Sequence, residues 1–159
     1  MTDTTEIIVE PGRQDIVITR VFDAPREKVF AALTDPRLVA QWWGAGGPGE
    51  LEISEFEARR GGTYRNISRD ETGTEYAFRG VFHEVLAPER LVHTFEFEGM
   101  PGHVALECTD LEELEDGRTK YTELSIYQSI EDRDGMIASG MEHGARAGLE
   151  KLAELVESS

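Results

Sequence analysis

The stretch from residue 17 to residue 44 constrains the fold of this chain more than any other part. An apolar run over Ile16–Phe22 has the composition of a β-strand and stops shortly before Pro25, where a first helix is predicted to begin. A second, shorter helix is predicted from Asp35-Pro36, since an aspartate followed by proline is a common helix start. It ends in the aromatic pair Trp42-Trp43. The pattern therefore predicts a strand followed directly by two short helices.

The region after this helix pair reads as β-structure. Apolar and polar residues alternate with a period of two, most clearly over 76–82 and 91–97. Turn signals such as Gly61-Gly62 and Asp116-Gly117 separate the runs, so about six further antiparallel strands are predicted.

The last segment changes to a helical period. Ser129 is a suitable N-cap, and from there to Val156 the chain is predicted to form one helix of about 25 residues. Gly140, Gly144 and Gly148 recur at intervals of four and would share one face of that helix. Each glycine costs about 1 kcal/mol of helix stability relative to alanine, so three in register indicate close packing or open room beside the helix.

Helices segregated from a run of strands indicate an α+β fold with helices on one face of an antiparallel sheet. We expect a curved antiparallel sheet of about seven strands, covered by the long C-terminal helix. The whole chain, 1–159, is expected to form a single domain, in which residues 1–13 are a loosely ordered N-terminal segment.

The net charge of the chain restricts the classes of partner that it can bind. The chain carries 32 acidic against 16 basic residues, a net charge of −16, which disfavours binding to nucleic acid and to anionic membrane surfaces. An acidic surface that aids solubility and an adaptation to high salt both remain open as reasons for it. No secretory signal and no membrane span are predicted, and the single cysteine, Cys108, has no partner for an intrachain disulfide. A cytoplasmic location is predicted.

The order of elements, with the residues that carry it, resembles the SRPBCC superfamily, which has the helix-grip, START-like or Bet-v-1-like fold. More closely it resembles the group named for the C-terminal domain of the activator of the Hsp90 ATPase. The matching segments are VITRVFDAPREKVFAALTDP at 17–36, QWWG at 41–44, GGTY at 61–64, GTEYAFRGVF at 73–82, PERLV at 88–92 and SGMEHG at 139–144.

The resemblance implies a hydrophobic ligand cavity between the sheet and the long helix. The eukaryotic co-chaperone has a separate N-terminal domain that this sequence does not contain. Members of the group often have a tryptophan directly after the segment that corresponds to 140–144, whereas this chain has Ala145. The smaller side chain is expected to enlarge or reshape the cavity at this helix turn.

Strand parity and the expected cavity together give a set of candidate ligand-contacting residues, most of them aromatic. A plain hydrophobic core is the alternative interpretation of the same pattern. The candidates are Trp42, Trp43, Tyr64, Tyr76, Phe78, Phe82, His93, Phe95, Phe97, Tyr121, Glu123, Met136, Gly140, Met141 and Gly144; Tyr127 also has inward parity.

Among the inward positions, His93 and Glu123 are the weak candidates for acid–base chemistry, with Glu123 beside His93 or Tyr121 as a proton-transfer pair. His143 could reach the cavity or face water. The four histidines are widely spaced, so no metal site is predicted, and the chain lacks a phosphate loop and a dinucleotide fingerprint. No cofactor is expected.

Three functions follow from these observations. The leading one is a non-enzymatic cytoplasmic protein that binds a small apolar or aromatic ligand. The second is a co-chaperone-like protein that interacts with an Hsp90-type chaperone, which requires an exposed apolar patch. The third is a cyclase or hydrolase-type enzyme, which requires His93 and Glu123 to lie within hydrogen-bond reach. The sequence is compatible with a monomer or a homodimer.

Overall fold

The fold was analysed in a computed structural model, which describes residues 5–44 and 51–158. This part of the chain forms one eight-stranded sheet and four helices, confirming the α+β helix-grip class with one strand more than predicted. The elements are β1 (Glu6–Ile8), β2 (Asp15–Phe22), α1 (Arg26–Thr34), α2 (Pro36–Trp42), β3 (Leu51–Phe56), β4 (Thr63–Arg69), β5 (Glu75–Leu86), β6 (Arg90–Phe97), β7 (Val104–Glu113), β8 (Thr119–Ile126), α3 (Ile130–Ala138) and α4 (Met141–Glu157).

The strands follow the order β1-β2-β8-β7-β6-β5-β4-β3, and every neighbouring pair is antiparallel. The additional strand β1 comes from the segment 1–13, which was predicted to be loosely ordered. Ile7 of β1 pairs with Ile18, and the buried guanidinium of Arg20 donates a hydrogen bond to the hydroxyl of Thr5 at 3.1 Å. Backbone pairing and this buried contact hold the segment from Thr5 to Ile8 against the sheet.

The two short helices after β2 are confirmed. Pro25 precedes the first residue of α1, and the side chain of Asp35 accepts a hydrogen bond from the backbone N–H of Arg37 at 3.0 Å. Asp35 is thus the N-cap of α2, with Pro36 at the first helical position, where the missing N–H of proline is not needed.

The single C-terminal helix predicted from Ser129 to Val156 is wrong, because the helix is interrupted. Gly140 has a φ of +89°, a left-handed conformation that ends α3 and allows α4 to begin at Met141. The glycine stripe therefore does not form one packed face. A Cβ atom at Gly144 would meet no atom within 4 Å, whereas one at Gly148 would lie 3.6 Å from the carbonyl oxygen of Trp42.

The hydrophobic core lies between the concave face of the sheet and the helices. Leu152 of α4 is completely buried against this core, together with Ile16 and Phe22 of β2. Burial of each such side chain contributes about 1.5–3 kcal/mol, which fixes α4 across the sheet. Among the described residues, no helix has the length and apolar character needed to cross a bilayer.

Candidate functional site

A cavity of about 570 Å³ lies between the concave face of the sheet and helices α2, α3 and α4. Its volume falls within the range of about 300–1,000 Å³ that is common for small-molecule sites. Since alternate residues of a strand point to the same face, even-numbered residues of β4 and β5 and odd-numbered residues of β6, β7 and β8 face the cavity.

One wall of the cavity is aromatic. The ring of Phe78 stacks on that of Phe95 with centroids 5.5 Å apart, and Trp43 meets Phe78 edge-on at 5.3 Å. Trp42 also lines the cavity, and its indole N–H donates to the carbonyl oxygen of Ala32 at 2.8 Å. The two tryptophans therefore differ: Trp42 is tied to α1, while Trp43 contacts the sheet through aromatic packing.

The opposite part of the cavity is polar, beginning with the ring of His93. The Tyr64 hydroxyl donates to the carbonyl oxygen of Thr94 at 2.6 Å. The same carbonyl lies 3.0 Å from His93 Nδ1, so Nδ1 carries the proton and Nε2 is left as an acceptor. Burial lowers the pKa of His93, opposed by the backbone bond to Thr94 and the charge of Glu123.

Two carboxyl groups from neighbouring strands meet beside this histidine. Glu107 of β7 pairs in register with both His93 and Ser125, and its Oε1 lies 3.7 Å from His93 Nε2. Burial, reinforced by the charge of Glu123, raises the pKa of Glu107 well above its usual range. Burial therefore favours the uncharged form of both Glu107 and His93.

Glu123 of β8 is held by hydroxyl groups. The Tyr121 hydroxyl donates to its Oε1 at 2.6 Å, and Ser125 donates to its Oε2 at 3.3 Å. Burial raises the pKa of Tyr121 well above its usual range, with Glu123 adding to the effect, so the phenol remains a donor. Ser125 Oγ also lies 3.5 Å from Glu107 Oε2, linking the two carboxyl groups.

Asn66 of β4 contributes a polar group without a partner. It lines the cavity and is 2% exposed, and its Oδ1 accepts no hydrogen bond from the described residues. A buried amide oxygen left without a donor costs about 1–3 kcal/mol, and the deficit disappears if a bound molecule supplies the donor.

Most of the predicted ligand-contacting residues are brought together around this cavity. Those that line it are Trp42, Trp43, Tyr64, Phe78, Phe82, His93, Phe95, Tyr121, Glu123, Met136, Gly140, Met141 and Gly144, with Tyr127 and His143. Tyr76 and Phe97 do not. Both residues have the expected parity but lie near the ends of their strands. Tyr76 is 40% exposed, and its hydroxyl donates a hydrogen bond to Asp70. Phe97 packs on the rings of Tyr76 and Phe78.

The predicted acid–base pair of His93 and Glu123 is not formed in the structure. Within the described ranges these two side chains share no hydrogen bond, because the register places Glu107 opposite His93 and Thr109 opposite Glu123. Glu123 instead accepts a hydrogen bond from the hydroxyl of Tyr121, the other partner predicted for it. Across the described ranges, no three histidine, cysteine or acidic side chains group as metal ligands.

Sequence reasoning missed Asn66, Ser68, Glu107 and Ser125, which also line the cavity. Each could have been found by extending strand parity from an inward neighbour: Tyr64 gives Asn66 and Ser68, and Glu123 gives Ser125. Glu107 gives the weakest signal, because an acidic residue in an acidic chain is expected to face water.

The comparison with known families agrees with this architecture. The profile of the family described as Activator of Hsp90 ATPase homolog 1-like protein matches residues 23–157. The chain belongs to this family. The match includes α1, α2, all strands from β3 onward and both C-terminal helices, so it contains nearly every element that surrounds the cavity.

Solved structures of several bacterial proteins share this fold. A protein from Arthrobacter aurescens is 26% identical, with a TM-score of 0.86 over 97% of this chain and 92% of its own. One from Rhodobacter sphaeroides is 27% identical, with a TM-score of 0.83 over 97% and 100%. A third, from Chromobacterium violaceum, is 28% identical, with a TM-score of 0.80 over 92% and 99%. No curated protein matches the chain at a significant level.

Proposed function

We propose that this chain is a cytoplasmic, non-enzymatic binding protein for a small, largely apolar or aromatic ligand. The single observation that carries the proposal is the cavity of about 570 Å³ with an aromatic wall and a small number of polar groups. Preformed cavities of this size and composition are the usual form of small-molecule sites. Membership of the family is consistent with ligand binding and names no ligand.

The packing around the cavity supports a preformed site. Trp42 is fixed by its bond to Ala32, and the cover α4 is anchored by fully buried Leu152. Ala145 lines the cavity and has no bulky group to fill it. The space therefore exists without movement of the sheet, and a ligand would gain binding energy mainly from burial of apolar surface.

Native mass spectrometry of the purified protein, compared with its denatured mass, is the direct test, since a releasable extra mass identifies a carried ligand. A titration with the neutral fluorophore N-phenyl-1-naphthylamine complements it. We expect saturable fluorescence enhancement in the parent protein and at least a tenfold loss of affinity in Ala145→Trp, which fills the cavity.

The matched control is Ala31→Trp, which adds the same side chain at an exposed position of α1. It should bind the fluorophore like the parent protein. Equal affinity in the Ala145→Trp variant, or no saturable binding in the parent, would contradict the proposal.

A second function, as a co-chaperone-like partner of an Hsp90-type chaperone, is favoured by the outer face of the sheet. Val17, Leu124 and Cys108 lie side by side in register there, and Ile8 and Ile126, next to them, are 45% and 39% exposed. This is the exterior apolar patch that such a partner requires. The test is stimulation of the ATPase of the cognate chaperone, with Ile126→Asp as the variant that should abolish it.

A further inference from the structure

The cavity wall carries acidic groups and no basic side chain of the lysine or arginine type among the described residues. The carboxyl groups of Glu107 and Glu123 face the cavity, and none of its lining residues within 5–44 and 51–158 is a lysine or an arginine. The remaining segments, 1–4, 45–50 and 159, contain neither residue type in their sequence. A carboxylate or phosphate group of a ligand would therefore find no lysine or arginine counter-charge at the cavity wall.

Several hydrogen-bond donors at the cavity wall already have acceptors within the protein. The hydroxyl donors of Tyr121 and Ser125 are directed at Glu123, and that of Tyr64 is directed at the carbonyl of Thr94. The Nδ1 proton of His93 is used on the same carbonyl. His93 Nε2 is left as an acceptor without a hydrogen-bonded donor among the described residues.

Asn66 provides an independent indication of the same kind. Its Oδ1 is buried at the cavity wall and accepts no hydrogen bond from the described residues. Asn66 lies on β4, whereas Glu107 and Glu123 lie on β7 and β8, so the unfilled acceptor belongs to a different part of the cavity. A ligand donor at Asn66 is thus separate from one at the carboxyl groups.

We infer that the ligand is an aromatic amine whose ammonium group lies against Glu107 and Glu123 and whose second N–H or O–H donor reaches Asn66. The inference rests on the proposed ligand-binding function and narrows it to one chemical class. Aromatic side chains of the cavity, including Trp43 and Phe95, favour both the ring and the cationic group of such a ligand. A purely hydrocarbon ligand would leave Asn66 Oδ1 unsatisfied.

Three probes of similar size separate the elements of this inference. Tryptamine carries an ammonium group and a ring N–H, 2-(1-naphthyl)ethylamine carries only the ammonium group, and indole-3-propionate carries the ring N–H with a carboxylate. Displacement of N-phenyl-1-naphthylamine gives the affinity of each for the unmodified protein. We expect tryptamine to bind most tightly, and both amines to bind at least tenfold more tightly than indole-3-propionate.

Substitutions at the cavity wall test which residues contact the amine probes. Combined Glu107→Gln and Glu123→Gln should reduce the affinity for both amines at least tenfold and leave binding of the neutral fluorophore in place. Asn66→Leu should weaken tryptamine about fivefold or more without weakening 2-(1-naphthyl)ethylamine. Glu112→Gln, at an exposed position of β7, is the control and should change neither.

The outcomes distinguish the two proposals. If the neutral fluorophore binds but the amines show no preference over indole-3-propionate in the unmodified protein, the amine inference is overturned and the binding function stands. If neither the fluorophore nor any of the three probes binds, the proposed function itself fails, and the inference fails with it.

Discussion

Glu107 Oε1 lies 3.7 Å from Nε2 of His93, across the register of β6 and β7, inside the cavity. The pair would be an ion pair on the protein surface. Here burial raises the pKa of Glu107 and lowers the pKa of His93, which favours the uncharged form of each group. Removing two charges from water without full compensation costs more free energy than neutralising the two groups, which is the physical reason for both shifts.

Glu107→Gln is expected to change the pH dependence of stability. Because the folded-state pKa of Glu107 is raised, the folded protein holds a proton that the unfolded chain loses above about pH 4.5. Its stabilising contribution is therefore complete at low pH and is lost as the pH rises through the folded-state value. The glutamine variant should show a flatter decline of unfolding free energy toward alkaline pH in urea titrations. Glu112→Gln is the control, and an equal slope in parent and Glu107→Gln proteins would contradict the assignment.

His93→Gln tests the opposite limb of the profile. The pKa of His93 is lowered, so below about pH 6.5 the unfolded chain takes up a proton that the folded protein resists. The parent protein should lose stability as the pH falls from 6.5, and the variant should lose less. His83→Gln, on an exposed position of β5, should leave the acid limb unchanged. Thermal unfolding at pH 5 and pH 7.5 provides the measurement.

The two adjacent tryptophans are expected to differ in their contribution to stability. Trp42→Phe removes the donor to the carbonyl oxygen of Ala32, a residue that is 1% exposed, and should destabilise the protein by about 1–3 kcal/mol. Trp43→Phe keeps an aromatic ring beside Phe78 and should cost about 1 kcal/mol or less. Chemical denaturation compares the variants, and a larger loss for Trp43→Phe would reverse the roles given to the two rings.

Two glycines of the C-terminal region should respond in opposite directions to alanine. Gly140→Ala places a side chain at a φ of +89° and should cost about 1–2 kcal/mol. Gly144→Ala lies within α4 with no atom within 4 Å of the new Cβ, and should gain up to about 1 kcal/mol. The unfolding free energies of the two variants test this prediction. Stabilisation by Gly140→Ala would mean that Gly140 does not adopt the left-handed conformation in solution.

Local signals in the sequence were sufficient for most of the fold. The Asp35-Pro36 helix start and the alternation of β5 and β6 act over a few residues, so their structural meaning could be read directly. The break at Gly140 was missed because a helical period continues on both sides of it. Only the φ angle distinguishes a glycine that ends a helix from one that lies within it.

The chemistry of the site depended on long-range register, which the sequence expresses poorly. His93 and Glu123 were correctly placed on the inner face by parity, but parity does not state which residue of a neighbouring strand lies opposite. The pairing of β6 with β7 brings Glu107 to His93 and leaves Glu123 to Tyr121 and Ser125. A shift of two residues in either strand would have kept every side chain on the same face and changed every partner.

The break at Gly140 means that the two halves of the cavity cover are attached by different forces. α4 is held by apolar burial of Leu149, Leu152 and Val156. α3 fully buries only Arg133, which donates to the carbonyl oxygen of Asp15. Its Met136 and Ile137 are only partly buried against the core, and its Asp132 contacts His103 at the surface. Ionic strength weakens surface charge contacts, whereas apolar burial loses strength on cooling. Added salt thus acts first on α3 and low temperature first on α4, so the two conditions loosen the cavity from opposite ends.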